Sequence, residues 1–314
     1  MPADRYPTTS EVREVGPRDG LQNEAPIPIE ARVELIDALS LTGLTAIEVG
    51  SFIRPDAIPA MAGTDRVLAA ISRHPEVRYR ALVPNVRGAE QALEGGIDEL
   101  EVVVSVSETH NRHNLNMSVG DSVDQIAAIV GRAAADDTPV EAILATSFGC
   151  PYEVHVELAA VTTLATRLRD VGVASFSFAD TTGMGTPRSV GALIDALAQI
   201  ALPAEEIALH LHNTRGTGLA NLVIAAQRGV RRYDASIGGL GGCPFSPGAT
   251  GNVPTEDVVH LLDALGATTG VDLDALIAIA LELETTIGRS LPGQVMRSGA
   301  WDRRVGVDPV PHTV

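Results

Sequence analysis

The chain has 314 residues, 45% hydrophobic and 20% charged, which allows one large barrel or two average domains, and no apolar run is long enough for a membrane span. A formal charge of −17 excludes nucleic acid and anionic membranes as general partners, because both are met by basic surfaces. All 23 basic residues are arginine, and without a lysine amine neither Schiff-base nor pyridoxal phosphate chemistry is open to the chain.

In chain order, short β-rich runs alternate with longer stretches of helical periodicity. The start, MPADRYPTTSEVREV, lacks the features of a secretory signal and the final HTV is not a peroxisomal tripeptide, so a cytoplasmic location is expected. Strands are predicted from Glu11 to Val15, Ala46 to Val49, Tyr79 to Val83, Glu99 to Val104, Glu141 to Ala145, Ser175 to Ala179, Ile207 to Leu211 and Tyr233 to Ile237. Helical patterns lie between them, among them Ile29 to Leu41, Val123 to Ala135, Val154 to Asp170, Ser189 to Ile200 and Leu219 to Arg228. Eight such units predict an α/β fold of the TIM (β/α)8 type; an open doubly wound sheet normally shows fewer strands, and no GxGxxG follows the first. A glycine-rich loop from Gly238 to Gly251 then leads to C-terminal helices from Thr255 to Leu265 and Leu273 to Thr286. The barrel domain with this addition is expected to span residues 1–288. The tail, 289–314, is rich in Pro, Gly and Arg; its ordering against a neighbouring subunit would make the protein a homo-oligomer.

Reactive groups of such barrels sit at the C-terminal ends of strands. There the chain places Arg18, Asp19 and Gln22 after strand one, Glu48 and Ser51 at strand two, Asn85 after strand three, Asp180 after strand six, and His210 and His212 at strand seven. His210 and His212 are two apart, so on a strand both imidazoles face the barrel mouth. With Asp19 they form a set of two histidines and one carboxylate, suited to Mg²⁺, Mn²⁺ or a transition metal with open positions for substrate oxygens. Arg18 beside it either stabilises a developing enolate oxygen or forms a solvated surface pair with Asp19, and its position favours the first. Glu48 and Asp180 either orient Arg18 or a histidine, or belong to structural ion pairs. Gln22, Ser51 and Asn85 are expected substrate contacts. Cys243 lies in the glycine-rich loop, a candidate lid, where it is either a proton donor to a carbanion or an inert thiol. Cys150, in SFGCPYE, is expected to be structural.

Three segments carry a family resemblance: VGPRDGLQNE at Val15 to Glu24, the HxHxTxGxxLAN pattern at His210 to Asn221, and GLGGCPFSPGATGNVPTED at Gly239 to Asp257. Over about Val12 to Thr286 the chain resembles the 3-hydroxy-3-methylglutaryl-CoA lyases of the DRE-TIM metallolyase superfamily. The resemblance implies a TIM barrel, a Mg²⁺ or Mn²⁺ cofactor, and retro-Claisen cleavage of a CoA thioester to acetyl-CoA and acetoacetate. It also implies metal ligands at Asp19, His210, His212 and Asn252, a substrate-stabilising Arg18, a catalytic Cys243, and supporting roles for Glu48 and Asp180. Asn213, where many members have Asp, the segment SETHNRHNLN at Ser107 to Asn116, and Val49 to Phe52 depart from the pattern. They bear on the acyl group, leaving citramalyl-CoA or an isoprenoid-derived analogue as alternative substrates. A relative running the condensation direction is the weaker reading because the GGCPFSPGATGN loop with its cysteine resembles the lyase, and intact Asp19, His210, His212, Asn252 and Cys243 speak against an inactive binding scaffold.

Overall fold

A computed structural model describes residues 6–242 and 251–301. Eight strands, β1 Glu11–Glu14, β2 Ala46–Ser51, β3 Arg78–Leu82, β4 Glu99–Ser105, β5 Val140–Ala145, β6 Ser175–Ala179, β7 Ile207–His210 and β8 Arg232–Ala235, pair in sequence order, all parallel. β8 returns to β1 in a register running from Glu11↔Arg232 to Glu14↔Ala235, so the sheet closes and has no edge. This is the predicted TIM (β/α)8 barrel.

The helices are α1 Ile29–Ser40, α2 Thr64–Ala70, α3 Val86–Glu94, α4 Glu108–Leu115, α5 Val119–Ala133, α6 Leu158–Asp170, α7 Pro187–Ala198, α8 Gly218–Gln227, α9 Thr255–Ala264, α10 Leu273–Ile287 and α11 Val295–Ser298. α2, α3 and α4 were not among the helices predicted from periodicity. α6 begins at Leu158 rather than Val154, because Val154 stands at φ 62, in a region foreign to helices, and closes a turn with Cys150. α11 gives structure to part of the tail left unassigned by the sequence.

Residues directed outward from the strands, such as Tyr79, Leu100 and Tyr233, are buried beneath the helices. The interior departs from the usual branched apolar layers of such barrels. Arg13 of β1 pairs with Glu141 of β5 at 2.7 Å and with Asp234 of β8 at 2.5 Å. Arg80 of β3 meets Glu101 of β4 at 2.5 Å and also pairs with Glu141. Contacts between strands as far apart as β1 and β5 can only be made across the barrel interior. All five groups are buried.

Charges taken out of water are tolerated because each is paired, and removing one partner strands the others. Glu141→Leu, which leaves Arg13 and Arg80 short of a carboxylate, is expected to destabilise the fold by about 3–5 kcal/mol, read from urea unfolding.

Candidate metal and substrate site

After β1 the chain makes a wide turn, Gly16–Gly20, in which the Val15 carbonyl accepts from the amides of Arg18 at 3.2 Å, Asp19 at 2.7 Å and Gly20 at 3.2 Å. Position 16 must be glycine, since a Cβ there would stand 2.6 Å from Glu14 Oε1. The Glu14 carboxyl accepts from the amides of Gly16 at 2.7 Å and Ile237 at 2.9 Å and from Thr255 Oγ1 at 2.7 Å. Burial pushes Glu14 up to about 7 against those donors. The turn, the end of β8 and the start of α9 are thereby tied to one carboxyl.

Arg18, Asp19, Gln22, Ser51, Asn85, His210 and His212 all line one cavity of ≈ 680 Å³. Within it, one ligand atom each of Asp19, His210 and His212 lies within 4.8 Å of the others. His210 Nε2 faces His212 Nε2 at 3.1 Å and is 3.8 Å from Asp19 Oδ2. Two ring nitrogens so opposed need a proton or a cation between them. Burial, and then the neighbouring His210, lower His212 to about 3, so it offers a neutral lone pair. Its Nδ1 is buried without a hydrogen-bond partner among the described residues. Burial opposes the charged form of His210 too, but a hydrogen bond to Asp234 and the charge of Asp19 raise it overall. Asp19 would be raised by burial; Arg18, then His210 and His212, hold it at about 2 instead. An ionised carboxylate with two imidazoles fits a divalent cation. Asp234 Oδ2, 3.5 Å from His210 Nδ1, fixes the ring with Nε2 toward the cluster.

Asn252 reaches the cluster nitrogen first: its amide donates to Asp19 Oδ2 at 2.7 Å and to the Leu240 carbonyl at 3.2 Å. Presenting its oxygen to a cation requires the amide to turn over. Arg18 donates from Nε to Glu48 at 2.5 Å and from Nη1 to Asp19 at 2.7 Å. Glu48 therefore orients Arg18 from behind; burial raises its pKa strongly, countered by Arg18 and reinforced by Glu101. Asp180 does not reach the cavity wall. It is buried, accepts from the Gly185 amide at 2.8 Å, and is pushed up by that burial to about 7. Gln22 donates to Asp19 Oδ1 at 2.8 Å, and Asn85 caps α3 by accepting from the Gly88 amide at 2.9 Å. Cys150 is buried with Ser107 Oγ 3.0 Å from its sulfur. Cys243 lies outside the described residues.

Sequence reasoning passed over Glu14, Arg13 and Asp234. For Arg13 and Asp234 the available signal was a charge at the inward parity of a strand, as also at Arg80 and Glu141; Glu14, at the opposite parity to Arg13, carried no such signal.

Asp234→Asn, which loosens His210 without touching the cluster directly, is expected to weaken Mn²⁺ binding by about 10–100-fold in calorimetric titration. In the unsubstituted protein Mn²⁺ affinity should fall as pH falls, because a raised His210 takes up a proton that the cation must displace. The fall should begin at a higher pH than an ordinary imidazole would give; its onset at or below that of a free imidazole would contradict the raised His210.

Residues 10–282 match the HMGL-like family. The hydroxymethylglutaryl-CoA lyase of Bacillus subtilis is 44% identical over 92% of this chain and 97% of its own length. A 3-hydroxy-3-isohexenylglutaryl-CoA/hydroxymethylglutaryl-CoA lyase of Pseudomonas aeruginosa is 41% identical over 88% of this chain and 92% of its own. Among solved structures, an HMG-CoA lyase from Acinetobacter baumannii in complex with coenzyme A and 3-methylmalate superposes with a TM-score of 0.90 at 39% identity, covering 96% of this chain and 98% of that one. No helix among the described residues is long and apolar enough to cross a membrane.

Proposed function

The chain belongs to the HMGL-like family of carbon–carbon lyases, and from that premise we propose that it cleaves 3-hydroxy-3-methylglutaryl-CoA to acetyl-CoA and acetoacetate with Mg²⁺ or Mn²⁺. The observation that carries this is the convergence of Asp19, His210 and His212 beside Arg18 in one cavity. We assign Asp19, His210, His212 and Asn252 as the residues that hold the cation. When bound there, a divalent cation supplies Lewis acidity to substrate oxygens and lowers the pKa of the 3-hydroxyl.

The remaining work falls to side chains. The hydroxyl proton goes to Asp19 or His210, both next to the substrate hydroxyl in this reading: Asp19 keeps a second carboxylate oxygen when one holds the cation, whereas His210, whose Nδ1 faces Asp234, can take the proton only at Nε2 and only when that nitrogen is not holding the cation. As the bond between the second and third acyl carbons breaks, its electron pair becomes the enolate of the acetyl thioester. Arg18, fixed by Glu48 and Asp19, sets its guanidinium where that oxygen gains charge. Cys243 is assigned the proton returned to the enolate carbon, and Gln22, Ser51 and Asn85 the positioning of the acyl group. The partner is the CoA thioester itself.

Purified protein should release acetyl-CoA from 3-hydroxy-3-methylglutaryl-CoA only with divalent metal, and lose the activity to a chelator; no release with metal bound would sink the proposal. Arg18→Met should lower kcat by about 100-fold or more, with far less effect on KM. Cys243→Ser should keep its melting temperature and Mn²⁺ affinity while losing most turnover; full activity would return Cys243 to the inert class.

A further inference from the structure

The turn that follows β8, Ile237–Gly239, leads through Leu240 to the cation set, because the Leu240 carbonyl and Asp19 both accept from the side-chain amide of Asn252. Two consecutive backbone amides of this turn are each taken by a buried acid. Ile237 donates to Glu14 of β1 at 2.9 Å, and Gly238 donates to Glu256 of α9 at 3.0 Å. The Gly238 carbonyl accepts from the Gly293 amide at 2.9 Å, so the turn is gripped on three sides. Glycine is required at 238, whose φ is 64, and at 293, where a Cβ would run into Glu256 Oε1.

The two acids are not equivalent. Glu14 accepts from Gly16, Ile237 and Thr255, whereas Glu256 accepts from Gly238 and its own amide, and its Oε1 is buried with no hydrogen-bond partner among the described residues. Neither acid has an arginine or histidine as an ion-pair partner among those residues. The charged groups that face Glu256 are Glu14 from β1, Asp257 beside it on α9, and Arg297 from α11. Arg297 is bound to Glu284 of α10 at 2.8 Å, while Asp257 accepts from the Val295 amide at 2.7 Å and faces His260. A carboxylate at 256 would therefore be buried beside two other acids with one oxygen unserved. The amides at the start of α9 favour a negative charge, but less than burial opposes it. Burial, and then the charges of Asp257 and Glu14, push Glu256 up to about 8 against those amides.

We propose that Glu256 is a positioning residue for the cation site and that it works as the neutral acid. Its proton keeps the turn seated, and the seated turn holds Leu240 where it fixes Asn252, an inference that rests on Asn252 being a cation ligand. Once ionised, the carboxyl gains by leaving the knot for water, and the turn loses one of its three grips. A folded-state value raised from 4.5 to about 8 gives stability that is fully present below 4.5 and is lost as pH rises through about 8. Glu14 and Asp180, pushed up to about 7, act in the same sense but over a lower range, so the alkaline limb belongs to Glu256.

The test follows Mn²⁺ affinity by calorimetric titration, and kcat for thioester cleavage, from about pH 6.5 to about 9 in the full chain, Glu256→Gln and Glu256→Ala. Glutamine keeps the shape of the neutral acid and cannot ionise. In the unsubstituted protein both quantities should fall above about pH 8 and recover on return to neutrality. Glu256→Gln should match it at neutral pH and show no alkaline fall. Between pH 7 and 8 the unfolding constant in urea should rise about five-fold more in the unsubstituted protein than in the Gln variant. Glu256→Ala should bind Mn²⁺ about 10–100-fold more weakly throughout. The absence of an alkaline fall, or its persistence in Glu256→Gln, would overturn the proposal, and so would a Gln variant as weak as Ala at neutral pH. If the Ala variant does not fold, the Gln comparison decides alone; a Gln variant that does not fold shows that the neutral form does not suit the site. Mn²⁺ binding with the expected pH dependence but without thioester cleavage would overturn the lyase reading and leave this one standing, whereas no Mn²⁺ binding at all would overturn both.

Discussion

A closed circuit of buried charge contacts sets the geometry of this protein. From Asp19 it passes through Arg18 to Glu48 and Glu101, on to Arg80, Glu141 and Arg13, and returns through Asp234 to His210. It begins and ends on two members of the proposed cation set. Each group in it is desolvated, so each depends on the orientation of the next, and the ligands inherit their position from the floor of the barrel. An apolar interior would pack as well, but it could not set the tautomer of His210 or the electrostatic state of Asp19.

The charge pattern also reconciles an acidic chain with an anionic substrate. Although the formal charge is −17, one arginine that lines the cavity is kept from the surface: Arg18 is buried and held between two carboxylates. Such a guanidinium keeps its charge and pays no reorganisation when a new anion forms beside it. Glu14 performs a different service. It joins the turn carrying Arg18 and Asp19 to the start of α9, so that segments far apart in the chain meet the cluster as one body.

Much of this was legible beforehand because strands have a period of two and barrels react at one end. The pair His210 and His212, with Asp19 and Arg18 on the first turn, followed from those two facts. What escaped the sequence has physical causes. α4, ETHNRHNL, carries almost no apolar stripe and is held by a Ser107 cap and a Glu108–Arg112 pair at 2.7 Å, so periodicity could not find it. Asp234 looked like an isolated charge because its partner Arg13 is 221 positions away. Asp180, visible as a polar residue after a strand, was placed correctly along the chain but faces Gly185 and not the cavity, a matter of rotamer that spacing does not encode. The amide orientation of Asn252 is likewise set by the Leu240 carbonyl, a contact made only in the folded chain.

The apolar side chains Leu82, Val103, Ile143 and Ala145 that line the cavity beside the charged cluster have a consequence for descent. Leu82, Val103, Ile143 and Ala145 have no hydrogen-bonding side chains and take no part in the ionic circuit. A change of one methyl or one ring among them alters the shape of a surface without disturbing any proton or charge. Substitutions at these four positions are milder for the chemistry than substitutions at Arg18, Asp19, His210 or His212, whereas Arg80, Glu101 and Glu141 on the same strands belong to the ionic circuit. A lineage built on this plan can therefore drift between substrates by small steps, each intermediate still an active enzyme, while the machinery that breaks the bond stays fixed.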